Sequence, residues 1–200
     1  AAYWHYYHRK FVKTDTVLPD SLIVCYQSAL FHQIKKKRNL LPLFSNTYSI
    51  TDTDGAVGVH LCTGIGAPNI VMNLELMIAA GVRTIVTIGS AGSLQPSLPV
   101  GHLVMATDPI RDEGTSHHYL PPQKRVAASS HLTGLLTRIS HQQKKNIISG
   151  TVWTTDAPFR ETQAEVEEYH SEKVCAVDME AAAVYALAKY RQVDAAALFC

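Results

Sequence analysis

The sequence predicts an α/β domain on a mostly parallel sheet covered by helices on both faces. Two observations carry this. Short apolar, strand-like runs such as Ser21–Cys25 (SLIVC) and Thr84–Ile88 (TIVTI) recur along the chain, as expected of strands buried on both sides. Helix-like stretches separate them, the alternation that builds parallel sheets. The 200 residues, 46% hydrophobic and 18% charged, suit a single domain with its own core. That domain is placed at residues 21–200, after an N-terminal extension at 1–20.

Ser21–Cys25 reads as the first strand. Ala29 to Lys37 then sets Leu30, Phe31 and Ile34 at helical spacing and ends in basic residues that complement the helix dipole. Val57–Leu61 is the next strand and Thr63–Asn69 a Gly-rich turn. Ile70 to Ala80 is apolar all round, a buried helix closed by Gly81. Thr84–Ile88 is a strand, followed at once by Gly89-Ser90-Ala91-Gly92. Leu103–Thr107 is a strand, and Asp108 to Gln123, with Gly and prolines, an irregular loop. Val126 to Gln142 reads as a helix, Ile147–Thr154 as one strand, Glu161 to Tyr169 as a helix and Val174–Val177 as a short strand. Met179 to Tyr190 is Ala-rich and strongly helical. Ala195–Cys200 is a last apolar strand, after which a covering element is expected.

Charge and cysteine content exclude several classes. Lys plus Arg number 18 and Asp plus Glu 17, which removes the electrostatic case for a nucleic-acid or anionic-membrane partner. Cys25, Cys62, Cys175 and Cys200 form no C-x-x-C pair, so zinc or redox spacing is absent. Three of them lie in apolar runs, where a reduced cysteine acts as a small hydrophobe. The first ten residues, AAYWHYYHRK, lack the apolar stretch of a signal peptide, and no apolar run reaches membrane-spanning length. The expectation is a soluble, cytoplasmic protein. The aromatic N-terminus is expected to be either flexible or a subunit contact.

Four segments can carry chemistry. Gly64-Ile65-Gly66-Ala67-Pro68-Asn69 superficially matches a dinucleotide fingerprint, but Asn69 stands for the third glycine and no acidic residue follows about 20 residues on. It reads as a tight strand-to-helix turn. Gly89-Ser90-Ala91-Gly92 offers backbone N–H groups and the Ser90 hydroxyl at a strand's carboxyl end, where α/β sheets bind ligands. Arg111 to Tyr119 packs opposite charges and two histidines into one loop; the adjacent His117 and His118 make a weak metal site. Asp178 and Glu180 stand where a strand meets a helix, as a cap and a first-turn charge or as a hydrogen-bonding site for a sugar.

Taken together, TGIGAPN, TIGSAGSLQPSLPVG, RDEGTSHHYLPP, TTDAPFRET and AVDMEAAAVYALA, in that order, resemble the nucleoside phosphorylase family, which includes uridine phosphorylases, purine nucleoside phosphorylases and methylthioadenosine nucleosidases. The resemblance runs from Ser21 to Cys200. It implies a single three-layer α/β domain with a mixed, mostly parallel, partly barrel-like central sheet flanked by helices. It also implies cleavage of a nucleoside's N-glycosidic bond through an oxocarbenium-like sugar. In that family Glu180 would hold the ribose 2′-hydroxyl and Met179 would pack under the sugar. Ser90 and Gly92 would hold phosphate or water, with Ala91 and Gly92 beside the substrate. Phe159 would lie near the base, and Arg160 and Thr162 would touch it. No metal or organic cofactor is implied, only inorganic phosphate as co-substrate. Self-association as a dimer, trimer or hexamer is implied too, with the loop Arg111–Pro122 as a candidate contact.

The departures concern the anion. Family phosphorylases carry a G-D-P-x-R turn after the first strand, where this chain reads Cys25-Tyr26-Gln27-Ser28-Ala29-Leu30. Thr87 stands in place of a second arginine, and no arginine lies near Phe44, where a third is expected. A closed dianion site needs cations. Arg111, Arg160 and Arg9 are the candidate replacements. In purine-specific members the acid that protonates the base follows the last strand, a place beyond Cys200. Three readings follow. The first is a phosphorylase releasing free base and ribose 1-phosphate from a purine or pyrimidine nucleoside. The second is a nucleosidase using water, and the third a non-catalytic nucleoside-binding or assembly protein of the same fold.

Overall fold

A computed structural model describes residues 19–44 and 46–200. The expectations placed on the N-terminal extension, Arg9 included, fall outside the described residues, except at Pro19 and Asp20.

The described residues form a large mixed sheet and a small one. The large sheet runs β2 (Leu40–Phe44), β3 (Thr47–Ile50), β4 (Val57–Leu61), β1 (Ser21–Cys25), β5 (Thr84–Gly89), β12 (Asp194–Phe199), β7 (Leu103–Ala106), β9 (Ile147–Gly150). At its centre β1 pairs in parallel with β4 and β5, with Ile23 opposite Val59 and Val86. The small sheet runs β6 (Gly92–Ser93), β11 (Ala176–Asp178), β10 (Val152–Thr155), β8 (Ile110–Asp112).

Alternation along β1 shows why both faces are covered. Leu22 and Val24 enter a core with Ile70, Leu74 and Met77 of α2 (Ala67–Ala79) and with α5 (Ala181–Arg191). Ile23 and Cys25 point the other way, onto Phe31 of α1 (Ser28–Lys37). The remaining helices are α3 (Ser130–Gln142) and α4 (Gln163–Ser171). All eight residues from Ala181 to Ala188 are buried. Five of them are alanines, whose small side chains let neighbouring elements approach from every side. Tyr185 is the large exception, and its hydroxyl donates to Ala106 O and accepts from Ala197 N, both at 2.7 Å.

Several boundaries differ from the sequence expectation, each for a local reason. The strand expected over Ile147–Thr154 is two strands in different sheets. At Thr151 the chain leaves the large sheet, and the Thr151 hydroxyl donates to Asp108 at 2.8 Å. The irregular loop Asp108–Gln123 contains β8 and a 3₁₀ turn at Thr115–His118. The helix expected from Val126 begins at Ser130, because Ser129 caps it by accepting from Leu132 N. Residues 126 to 129 run extended, with the N–H groups of Val126, Ala128 and Ser129 donating to Pro109, Thr107 and Ala195. The edge hairpin β2–β3 was not expected; Pro42 in β2 obscures it and is tolerated because β2 is an edge strand. No helix among the described residues is long and apolar enough to cross a membrane.

Candidate active site

A cavity of about 510 Å³ opens beyond the carboxyl ends of the central strands, where parallel α/β sheets bind ligands. Tyr26 and Gln27 reach it from the end of β1. Gly64 and Ile65 come from the turn after β4, and Ser90, Ala91 and Gly92 from the turn after β5. Val177, Asp178, Met179 and Glu180 come from the end of β11, and Pro158 and Glu161 close the rim.

The β11–α5 junction is built from backbone donors. The four leading N–H groups of a helix need partners. Asp178 Oδ2 accepts from Glu180 N at 2.9 Å and Ala181 N at 2.7 Å. Its other oxygen takes the Thr154 hydroxyl at 2.6 Å, and Thr154 in turn accepts from Ala182 N. Asp178 is thus a cap, held by β10. Burial outweighs these bonds and pushes its carboxyl up to about 6.

Glu180 turns into the cavity. Its Oε1 accepts from Gly66 N at 2.6 Å. That N–H is presented by a turn in which Gly64 and Gly66 have φ of 123° and 90°, conformations that favour glycine. Burial, with the Asp178 charge adding to it, pushes the Glu180 carboxyl up to about 7 against the opposing Gly66 bond. Glu180 and Ser90 line the same cavity from the small-sheet and large-sheet sides, and its volume accommodates a pentose and a base.

The other expected site residues fall differently. Met179, Ala91 and Gly92 line the cavity. Phe159 and Arg160 do not: the 3₁₀ turn Pro158–Arg160 directs both to solvent and leaves Pro158 and Glu161 on the wall. Thr162 is taken up by a capping box with Glu165 at the start of α4. Arg111 is buried and serves its own loop. Its Nε donates to Ser116 Oγ at 2.9 Å, and its other nitrogens donate to Pro121 O at 2.7 Å and Leu120 O at 3.1 Å. His117 lies in the same loop, and no cluster of metal-ligating side chains occurs among the described residues.

Among the described residues, three carboxyl groups, Glu161, Asp178 and Glu180, line the cavity, with no lysine, arginine or histidine. Sequence reasoning missed Tyr26, Gln27, Ile65, Pro158 and Glu161. The rule that ligands sit beyond strand ends would have found the first two.

A cavity at this place is the usual ligand site of an α/β fold. The family model described as "Phosphorylase superfamily" matches residues 24–200, and the chain belongs to that family, the nucleoside phosphorylases. It is 30% identical over 145 residues to the guanosine phosphorylase of Halorubrum lacusprofundi, covering 72% of this chain and 60% of the relative. It is 28% identical over 163 residues to the uridine phosphorylase of Treponema pallidum, covering 76% and 63%. The matched regions thus span about three-fifths of the length of these relatives. The crystal structure of uridine phosphorylase from Vibrio fischeri shares the fold, with a TM-score of 0.81 at 22% identity, over 94% of this chain and 83% of that one.

Proposed function

We propose that the cavity binds a purine or pyrimidine nucleoside and that the chain cleaves its N-glycosidic bond, passing the pentosyl group to an acceptor at the Ser90–Gly92 turn. One observation carries the reading: Glu180 and Ser90 line one cavity beyond the strand ends. Glu180, when ionised, accepts a hydrogen bond from a sugar hydroxyl and stabilises the positive charge that grows on the ring as the base departs. Met179 supports the sugar beside it. The Ser90 turn, which lines the cavity from the large-sheet side, offers backbone N–H groups and a hydroxyl to the acceptor.

With phosphate as acceptor the products are free base and ribose 1-phosphate, in keeping with the relatives' names. A second reading, hydrolysis by water, is favoured by the cavity wall, whose ionisable lining groups among the described residues are three carboxyls and the Tyr26 phenol, with no cation. A phosphate dianion there lacks charged partners. Neither route calls for a metal or organic cofactor.

The test is release of free base from inosine, adenosine, guanosine and uridine, followed by chromatography with and without phosphate. Base release that is lost in Glu180→Ala supports the proposal. A folded protein that binds nucleosides by calorimetry and releases no base rejects it in favour of a binding module.

A further inference from the structure

The acceptor side of the cavity is walled by Tyr26. Its backbone N–H donates to Ile88 O at 3.2 Å, which sets it level with the end of β5, next to Gly89 and Ser90. The ring packs directly on Gly89: a Cβ there would come within 2.7 Å of Tyr26 Cδ2. The side chain lines the cavity, yet its hydroxyl oxygen is sealed from solvent, with the Thr87 side chain as its polar neighbour. Packing on Gly89 holds the ring in place. Burial and the neighbouring Glu180 and Asp178 carboxyls push the phenol well above its ordinary range, so it stays neutral.

The space against Gly89, one residue before Ser90, is thus occupied by an uncharged aromatic ring, in a cavity that also holds carboxyl groups. A bound oxyanion needs room, donors and positive charge. The ring takes the room against Gly89, and among the described residues no cationic side chain lines the wall.

We propose that Tyr26 is the residue that selects the acceptor: its ring fills the space beside Gly89 and Ser90, excludes a phosphate-sized anion, and leaves water to take the pentosyl group. The inference rests on the nucleoside-cleaving reading above. In the step, the water oxygen bonds to the anomeric carbon. The glycosidic C–N bond breaks with its electron pair on the base nitrogen. One water proton ends on the released base, and the other stays on the new anomeric hydroxyl, so nucleoside and water give free pentose and free base.

The experiment measures base release and sugar product for wild type, Tyr26→Phe and Tyr26→Gly across a series of inorganic phosphate concentrations, with thermal melting followed alongside. The wild type and Tyr26→Phe, which keeps the ring, are expected to give free pentose at a rate that phosphate leaves unchanged. Tyr26→Gly is expected to respond to millimolar phosphate, forming pentose 1-phosphate or being inhibited by it. Tyr26→Ser serves in its place if the glycine variant melts early. Pentose 1-phosphate from the wild type overturns the assignment of Tyr26 while leaving nucleoside cleavage standing. A folded small-residue variant indifferent to phosphate also overturns it. No base release under any condition removes the functional reading itself, and this inference with it.

Discussion

The Glu180 carboxylate accepts a hydrogen bond from the backbone N–H of Gly66 across 114 positions of sequence, at 2.6 Å. This bond joins the turn after β4 to the start of α5 and fixes the carboxyl on the cavity wall.

The first prediction concerns pH. The Glu180 carboxyl is pushed up to about 7, above the roughly 4.3 of an unfolded chain. Between those values the folded state holds a proton that the unfolded state has lost, so Glu180 lowers stability as pH rises through this window. Asp178, pushed up to about 6, adds to the same fall. Glu180→Gln is expected to flatten the decline in melting temperature between about pH 4.5 and 7 and leave the part due to Asp178. Base release by the wild type is expected to rise with pH through the Glu180 value. Melting curves and initial rates across this pH range check both.

Asp178→Ala removes the acceptor for Glu180 N, Ala181 N and the Thr154 hydroxyl. The expected loss is about 1–3 kcal/mol, from a lost cap and unpaired buried donors. Asp178→Asn keeps an oxygen for the cap and is expected to lose less. Urea unfolding measures both.

Arg111→Met is expected to destabilise the protein by about 2–3 kcal/mol, because the guanidinium holds the carbonyls of Pro121 and Leu120 and the Ser116 hydroxyl. Its dependence on phosphate is expected to match that of the wild type, since Arg111 does not line the cavity. Denaturant titration and steady-state rates read the two effects separately.

Tyr185→Phe leaves Ala106 O and Ala197 N without their 2.7 Å partner in the core. A loss of about 1–3 kcal/mol is expected. Hydrogen exchange should quicken at the Ala197 amide, which lies in β12 where it meets β7.

The β/α alternation was legible because most strands are continuous apolar runs buried on both faces. Ser90, Ala91, Gly92, Met179 and Glu180 were legible as cavity residues because each stands at a strand's carboxyl end. The division at Thr151 was not: nothing in IISGTVWT marks the residue at which a strand changes sheet. β8 spans three residues, Ile110–Asp112, too few for any period to show. Phe159 stands in solvent and not on the cavity wall, because a 3₁₀ turn of three residues decides which side chain faces inward, and one step of rotation exchanges Phe159 for its neighbours. Tyr26 was passed over because an aromatic at the end of an apolar strand reads as core, although its place at a strand's carboxyl end was a signal.

Among the described residues the polypeptide steps between the two sheets six times, and Ser90–Ala91, residues 107–109 and Thr151 are the three crossings made in three residues or fewer. The Ser90–Ala91 turn is therefore a seam between two layers as well as part of the cavity wall. Lengthening it would shift one layer against the other, so chemical diversity at this position is confined to exchanging the side chains around a loop of fixed length.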